Sequence, residues 1–249
     1  MTYPLSLPTE NPLVTVTHPK DSIWVIELHN GQDNRLIPAL VDHALKPALD
    51  AVELHWRNQW REAQNSKDKS GGKGAVIIVG RKDQEKFFSN GQSFVTCTPA
   101  FFLTADSVPT ICAINGHCFA GGFMLSLACD YRVMTDGSKR RAWLCMNEID
   151  FGAVWPHSDG RTRREIALGH RYEPNEALSV GIVDHIVTGN TNAVLAKAEE
   201  LALAVGVKAQ GGVWGLIKND LYYEPLKTLK RDPRMSNPQV EDAAAKARL

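Results

Sequence analysis

Apolar residues follow two patterns along this chain, and each pattern predicts a different kind of element. Continuous apolar runs at Ala75–Val79 and at residues 111–114 are typical of strands that are buried on both faces. Residues 22–28, with the sequence SIWVIEL, predict a further strand. Residues 37–60 carry apolar side chains at close to helical spacing and predict a long helix. Strands separated by helical stretches predict an α/β fold.

Shorter patterns complete the predicted organisation. They give strands at 131–133 and 143–146, helices at 192–205 and 213–223, a proline-containing lead-in at 1–12 and a polar loop at 66–74. We therefore expect a core domain over residues 1–190. A helical C-terminal region over residues 191–249, ending in an exposed tail, is expected to follow it.

One stretch has some of the character of a membrane span. Residues 111–129 carry no charge unless His117 is protonated. However, Asn115, Gly116, Gly121 and Gly122 interrupt the stretch, and such turn residues favour a buried strand, a turn and a buried helix. We therefore expect no membrane-spanning segment.

Composition and charge exclude several classes of protein. Among the 249 residues, 43% are hydrophobic, which suffices for a core without a metal or disulfide staple. The 28 basic residues balance 28 acidic ones, which argues against binding nucleic acid through bulk positive charge. The five cysteines lie in the most apolar part of the chain and are expected to be buried thiols. No metal-ligand spacing is present, and no basic segment followed by an apolar run marks a signal peptide.

Two glycine-containing segments are candidates for binding an oxygen anion. In FFSNGQSF, residues 87–94, Gly91 permits a backbone conformation that could aim the N–H of Gln92 into a cleft. In the second, Gly121 and Gly122 stand where an apolar helix is predicted to begin, and free N–H groups there favour a negative oxygen. The alternatives are an ordinary loop glycine and tight helix–strand packing. No GxGxxG sequence is present, which excludes a dinucleotide-binding fingerprint.

Four segments carry a resemblance to a known family: FFSNGQSF, PTICAINGHCFAGGFMLSLACDYRV, CMNEIDFGAVWP and EALSVGIVDHIV. In their order along the chain they resemble the crotonase, or enoyl-CoA hydratase/isomerase, superfamily, and most of all its peroxisomal 3,2-trans-enoyl-CoA isomerases. The resemblance implies a spiral of βαβ units with a helical C-terminal trimerisation region. It also implies an acyl-CoA substrate, a homotrimer or hexamer, and no cofactor, since coenzyme A is part of the substrate.

The resemblance also implies roles for individual residues. The two oxyanion-hole N–H groups fall on Gln92 and Gly121, and the catalytic carboxylate falls on Glu148. The hydratase branch has a second glutamate where this chain has Met124, so the pair of carboxylates that hydration needs is broken. One base suffices to move a proton from C2 to C4 of a 3-enoyl-CoA, so a single glutamate favours isomerisation.

Further positions follow from the same resemblance. Apolar walls, Phe119 and Met124 among them, are expected to surround the substrate and to raise the pKa of Glu148. The backbone that grips coenzyme A is expected around Asn34, Arg35 and Leu36.

Other residues allow a catalytic and a structural interpretation. His117 lies beside the second glycine segment, but a packed histidine is the favoured interpretation. Asp130 and Arg132 are expected to form caps or ion pairs that fix a helix end. The basic run Lys139, Arg140 and Arg141 could meet a phosphate, although a solvated turn is favoured.

The last three residues, Ala247, Arg248 and Leu249, match the small–basic–leucine type of peroxisomal address. We therefore expect a peroxisomal location and recognition by the peroxisomal import receptor.

Two segments are shorter than the resemblance implies. Only 17 residues separate Gly91 from Pro109, and 12 separate Pro156 from Gly169. An acyl pocket more open than in the family, with Phe101, Phe102 and Leu103 partly uncovered, is therefore expected. Enoyl-CoA hydration, another crotonase reaction, or a catalytically impaired relative that only binds acyl-CoA or oligomerises remain the alternatives to isomerisation.

Overall fold

Two β-sheets organise the computed structural model, which describes residues 1–91, 107–147, 168–223 and 246. The strands of the large sheet are β1 (Leu5–Leu7), β2 (Val14–Lys20), β3 (Ile23–Leu28), β4 (Ala75–Val79), β6 (Thr110–Ile114), β8 (Tyr131–Thr135) and β11 (His185–Val187). Those of the small sheet are β5 (Phe87–Asn90), β7 (His117–Phe119), β9 (Leu144–Cys145) and β10 (Arg171–Tyr172). The spatial orders are β1-β2-β3-β4-β6-β8-β11 and β10-β9-β7-β5.

Helices connect and cover these sheets. In chain order they are α1 (Pro38–Leu40), which continues through a π-helical turn (Val41–Leu45) into α2 (Lys46–Ser66), then α3 (Gly121–Ala128), α4 (Pro174–Ser179), α5 (Thr191–Gly206), a 3-10 turn (Val207–Gly211) and α6 (Trp214–Leu221). Within the described ranges, no helix combines the length and the apolar character that crossing a bilayer requires.

The chain alternates between the two sheets as it advances. Strands β4, β6 and β8 lie side by side and parallel in the large sheet. After each of them the chain crosses to the small sheet, where β5, β7 and β9 are also parallel neighbours. This repeated passage from large to small sheet is a spiral, and it confirms the predicted α/β fold and its crotonase-type architecture.

Apolar side chains fill both faces of the large sheet. Every residue of β4 is buried, as expected for a strand covered on both sides. One cluster joins residues of both sheets to residues of the helices and includes Trp24, Trp56 and Phe88. A second cluster joins β3, β4 and β6 to Val194, Ala198 and Ala202 of α5. Helix α5 therefore packs directly on the sheet, while the division of the chain at residue 190 stays a prediction.

Most predicted elements are present, including the short strands expected at 131–133 and 143–146, which are β8 and β9. The helix expected at 37–60 runs on to Ser66, and those expected at 192–205 and 213–223 are α5 and α6. The lead-in at 1–12 contains β1, and FFSNGQSF begins with β5 rather than being all loop. Both are short strands: β1 pairs with the next strand, β2, and β5 pairs with β7. The shortened segments, with Phe101 to Leu103, and the C-terminal tail lie outside the described residues.

The cysteines behave as predicted where the structure describes them. Those at positions 112, 118, 129 and 145 are buried. Burial raises the pKa of the Cys112 thiol, because a thiolate is disfavoured away from water.

Candidate active site

Three parallel strands of the small sheet end at one edge, and the candidate site lies there. Hydrogen bonds join the chain just beyond them: the Gly91 N–H donates to the Phe119 carbonyl at 3.0 Å, and the Ala120 N–H to the Cys145 carbonyl at 2.8 Å. Gln92 and Glu148 lie outside the described residues. Gln92 directly follows Gly91, and Glu148 is the third residue after Cys145. The edge of this sheet therefore gathers Gly91, Ala120 and Cys145, which lie one to three residues along the chain from the three predicted catalytic positions.

Gly121 is the first residue of α3, as the sequence predicts. The first N–H groups of an α-helix have no acceptor within the helix, and the helix dipole adds partial positive charge there. The preceding residue, Ala120, has φ 49° and ψ −120°. This is a strained conformation for a residue with a side chain, and such strain is found where surrounding structure holds a functional group in place. The N-terminus of α3 can therefore stabilise a negative oxygen.

Gly91 also has the left-handed conformation that its place in the first glycine segment suggests. Its φ is +85°, and a Cβ atom built on it would lie 3.8 Å from that of Ala120. The two glycine segments are therefore adjacent in space, and the structure brings the residue before Gln92 next to the residue before Gly121.

The loop that contains Asn34, Arg35 and Leu36 lies against β5. Asn34 is fully buried, and its amide group accepts from the Asn30 N–H at 2.8 Å and donates to the Phe88 carbonyl at 3.1 Å. Leu36 donates its N–H to the Gly91 carbonyl at 3.0 Å. Arg35 is exposed and pairs with Asp33 at 3.1 Å. The Asn34 side chain and the Leu36 N–H are thus engaged within the protein, and Arg35 is the exposed residue of the three.

Phe119 and Met124 provide apolar surface beside the N-terminus of α3. Both are half-buried, and Met124 packs against the main apolar cluster. The Phe119 ring lies 6.3 Å from that of Phe87 and 5.1 Å from that of His117. Met124 donates its N–H to the Ala120 carbonyl at 3.0 Å, so it stands one helical turn after that residue.

His117 is a packed histidine, as the favoured interpretation predicts. Its Nδ1 accepts from the Trp143 N–H at 3.2 Å, and its ring lies 5.0 Å from the Trp143 ring. Burial lowers the pKa of His117, and the nearby cations Arg140, Lys86 and Arg171 lower it further. The imidazole is therefore held neutral, as an acceptor with a fixed ring orientation.

The remaining polar predictions are structural as well. Asp130 accepts from the Thr110 N–H at 2.8 Å and pairs with the buried Lys218 of α6 at 3.2 Å. Arg132 donates to the carbonyls of Ile182 at 2.6 Å and Cys129 at 2.8 Å, so it fixes the end of α3.

The basic run Lys139, Arg140 and Arg141 is exposed, in agreement with a solvated turn. Within the described part of the chain, no three His, Cys, Asp or Glu side chains are grouped to hold a metal ion.

Comparison with known proteins identifies the family. Residues 102–209 match the family model for enoyl-CoA hydratase/isomerase. Enoyl-CoA delta isomerase 3 of Arabidopsis thaliana is 31% identical over 183 residues, which cover 61% of this chain and 75% of that protein. The fatty acid oxidation complex subunit alpha of Shewanella loihica is 31% identical over 160 residues, but the match covers only 22% of its length.

Solved structures agree in fold. An enoyl-CoA hydratase from Mycobacterium ulcerans superposes with a TM-score of 0.64 at 24% identity, over 88% of this chain and 95% of that one. The fold and the glycine-bounded edge of the small sheet define a crotonase-type protein. The chain belongs to the enoyl-CoA hydratase/isomerase family.

The sequence did not reveal every residue that shapes this site. Ser89 lies fully buried on β5 and donates its hydroxyl to the Asn34 carbonyl at 2.6 Å. The one available sequence signal for this residue was a serine within the glycine-containing segment FFSNGQSF. The backbone strain at Ala120 had no signal, because alanine ordinarily avoids a positive φ.

Proposed function

We propose that the protein is a 3,2-trans-enoyl-CoA isomerase of fatty-acid β-oxidation. The observation that carries this proposal is the N-terminus of α3 at the edge of the small sheet, with the apolar Met124 one turn along. The N-terminus suits a thioester oxygen, and a methionine at this place leaves no second carboxylate to activate water. Two Arabidopsis thaliana relatives named enoyl-CoA delta isomerase, 31% and 33% identical, support the assignment.

The reaction needs one base and one anion site. The Glu148 carboxylate removes a proton from C2 of a 3-enoyl thioester, and the electron pair moves onto the thioester oxygen. The N–H groups of Gln92 and Gly121 stabilise that negative oxygen. The protonated Glu148 then returns the proton to C4, and the electron pair of the oxygen re-forms the carbonyl as the double bond moves to C2–C3. No atom is gained or lost, and no cofactor takes part.

Two parallel assays of the purified protein test this function. A 3-enoyl-CoA should be converted to the 2-enoyl-CoA, whereas hydration of a 2-enoyl-CoA should be far slower. Glu148→Gln should retain acyl-CoA binding and lower isomerase turnover by a factor of about a hundred or more. Full isomerase activity in Glu148→Gln would refute the assigned base. Dominant hydration would favour the hydratase, and binding without either reaction would favour an impaired relative.

We further propose that α6 contributes to a homotrimer, which could pair into a hexamer. Helix α6 leaves Leu216, Ile217 and Leu221 exposed, while Lys218 on the same helix is buried against Asp130. Exposed apolar side chains on a helix anchored to the core support association with another copy. Leu216→Glu together with Ile217→Glu should lower the mass measured by light scattering, and an unchanged mass would contradict the proposal.

For location, we propose peroxisomal import through Ala247, Arg248 and Leu249. One relative is named as peroxisomal, whereas a Homo sapiens relative is named as mitochondrial, so the tripeptide is the main support. A fluorescent protein fused to residues 240–249 should reach peroxisomes and should lose that location when Leu249 is deleted.

A further inference from the structure

Ser89 lies between the loop that precedes α1 and the first turn of α3. Its hydroxyl donates to the Asn34 carbonyl at 2.6 Å, across to the loop that precedes α1. On its other side lies the first turn of α3: a Cβ atom built on Gly122 would come within 2.7 Å of both the Cβ and the carbonyl oxygen of Ser89. Gly122 therefore lets α3 approach β5 more closely than any other residue would.

The loop that contains Asn34 forms several hydrogen bonds with β5 and with Gly91 after it. The Asn34 amide donates to the Phe88 carbonyl, the Asn90 N–H donates to the Asp33 carbonyl at 2.8 Å, and the Leu36 N–H reaches Gly91. Strand β5 runs from Phe87 to Asn90 and leads through Gly91 to Gln92. The loop, β5 and the start of α3 are thus held together, and Ser89 of β5 contacts the other two elements.

We infer that Ser89 is a positioning residue that sets how closely β5, which leads to Gly91, approaches the first turn of α3 at the oxyanion hole. This inference rests on the proposed function, because it takes Gln92 and Gly121 as the donors. Oxyanion donors act only when they are held about 2.7–3.1 Å from the place where the charge develops, so a small displacement of either donor weakens them. Contact with Gly122 fixes how near α3 comes, and the hydroxyl bond fixes where β5 lies relative to the loop.

A purely space-filling role does not account for the serine hydroxyl. An alanine would occupy nearly the same volume, and a buried hydroxyl is costly unless it is hydrogen-bonded. The acceptor of Ser89 is 55 residues away in sequence, on the loop rather than on its own strand. Ser126 provides the contrast: it is equally buried, but its hydroxyl donates at 2.8 Å to Phe123 within α3 itself.

Ser89→Ala and the matched control Ser126→Ala test the inference. Each removes one buried hydroxyl bonded to a backbone carbonyl, so similar falls in melting temperature are expected. Only Ser89→Ala should lower kcat, by about tenfold with KM nearly unchanged, because the lost interaction acts on the developing oxyanion. Asn34→Asp, which keeps the acceptor for Asn30 and removes the donor to Phe88, should lower kcat in the same way.

A spectroscopic measurement separates this inference from the proposed function. An oxyanion hole polarises a bound thioester and lowers the stretching frequency of its labelled carbonyl, whether or not turnover follows. A smaller shift in Ser89→Ala than in the wild type and Ser126→Ala supports the inference, even if the protein shows no isomerase turnover. Equal shifts in all three proteins overturn it, and so does the absence of a shift in the wild type.

Discussion

The large and small sheets differ in how they are held together. The candidate site lies on the small sheet, whose short strands depend more on contacts from loops and helix ends. Strands β4 and β6 of the large sheet are buried at every position. In the small sheet, β9 and β10 have two residues each, and β7 is fully buried only at its middle residue. Strands this short form few ladder hydrogen bonds, so loops and helix ends must hold them in place. We therefore expect stability to depend mainly on the large sheet and the geometry of the candidate site to depend on the small one.

Backbone strain occurs beside the small sheet and is absent from β4 and β6 of the large one. Asn34 and Ala120 have positive φ angles of 48° and 49°, and both border the small sheet. Such conformations persist only where neighbouring contacts hold them. The five positions of β4 and the five of β6 require no such support, because burial of their apolar side chains suffices.

A substitution in the large sheet should affect stability and little else. Ile77 is fully buried at the centre of β4, where it packs with residues of β3, β6 and α5. Ile77→Ala should lower the free energy of unfolding by about 2–5 kcal/mol, while Ile77→Val should cost about 0.5–1.5 kcal/mol. Denaturant titration measures both. A large fall in kcat per folded molecule would contradict the division between the sheets.

A substitution beside the small sheet should affect kcat more than stability. A Cβ at Gly122 meets the Ser89 backbone, so Gly122→Ala should push the start of α3 away from β5. Displacing one oxyanion donor should lower kcat by a factor of about a hundred. Gly211→Ala is the control, since its nearest neighbour would lie at an ordinary 3.7 Å. An unchanged kcat in Gly122→Ala would show that α3 can shift without cost to the site.

The same contrast explains what the sequence could predict. Continuous apolar runs predicted β4 and β6, because a strand that is buried on both faces has apolar residues at every position. The strands β5 and β7 were not recognised, since strands of four and three residues carry too few positions for an alternation to show. Gly91 and Gly121 were identified through motif chemistry and a family resemblance. The engagement of Asn34 with Phe88 depends on a fold that joins residues 54 apart, which no local pattern records.

Ala120→Gly asks whether strain at the edge of the small sheet serves the site. Glycine adopts a positive φ freely, so the strain of about 1–3 kcal/mol disappears, offset by the greater flexibility of the unfolded chain. The free energy of unfolding should rise by about 1 kcal/mol, while kcat falls a few-fold because the Gly121 N–H is less firmly oriented. A variant that is more stable and fully active would show that the strain has no catalytic role.

Low pH should slightly lower the free energy of unfolding, through one histidine in or beside each sheet. Burial lowers the pKa of His117 in the small sheet and of His55, on α2 beside Trp24 of the large sheet. Below the ordinary histidine pKa of 6.5, the unfolded chain binds protons at these two histidines that the folded protein does not bind. The free energy of unfolding therefore falls as the pH drops from about 7 to the lowered pKa values of the folded protein. His117→Asn and His55→Asn should each make this pH dependence shallower in denaturant titrations between pH 7 and about 5. Only His117→Asn should also alter kcat, and an equal effect of both variants on kcat would remove the distinction between the two sheets.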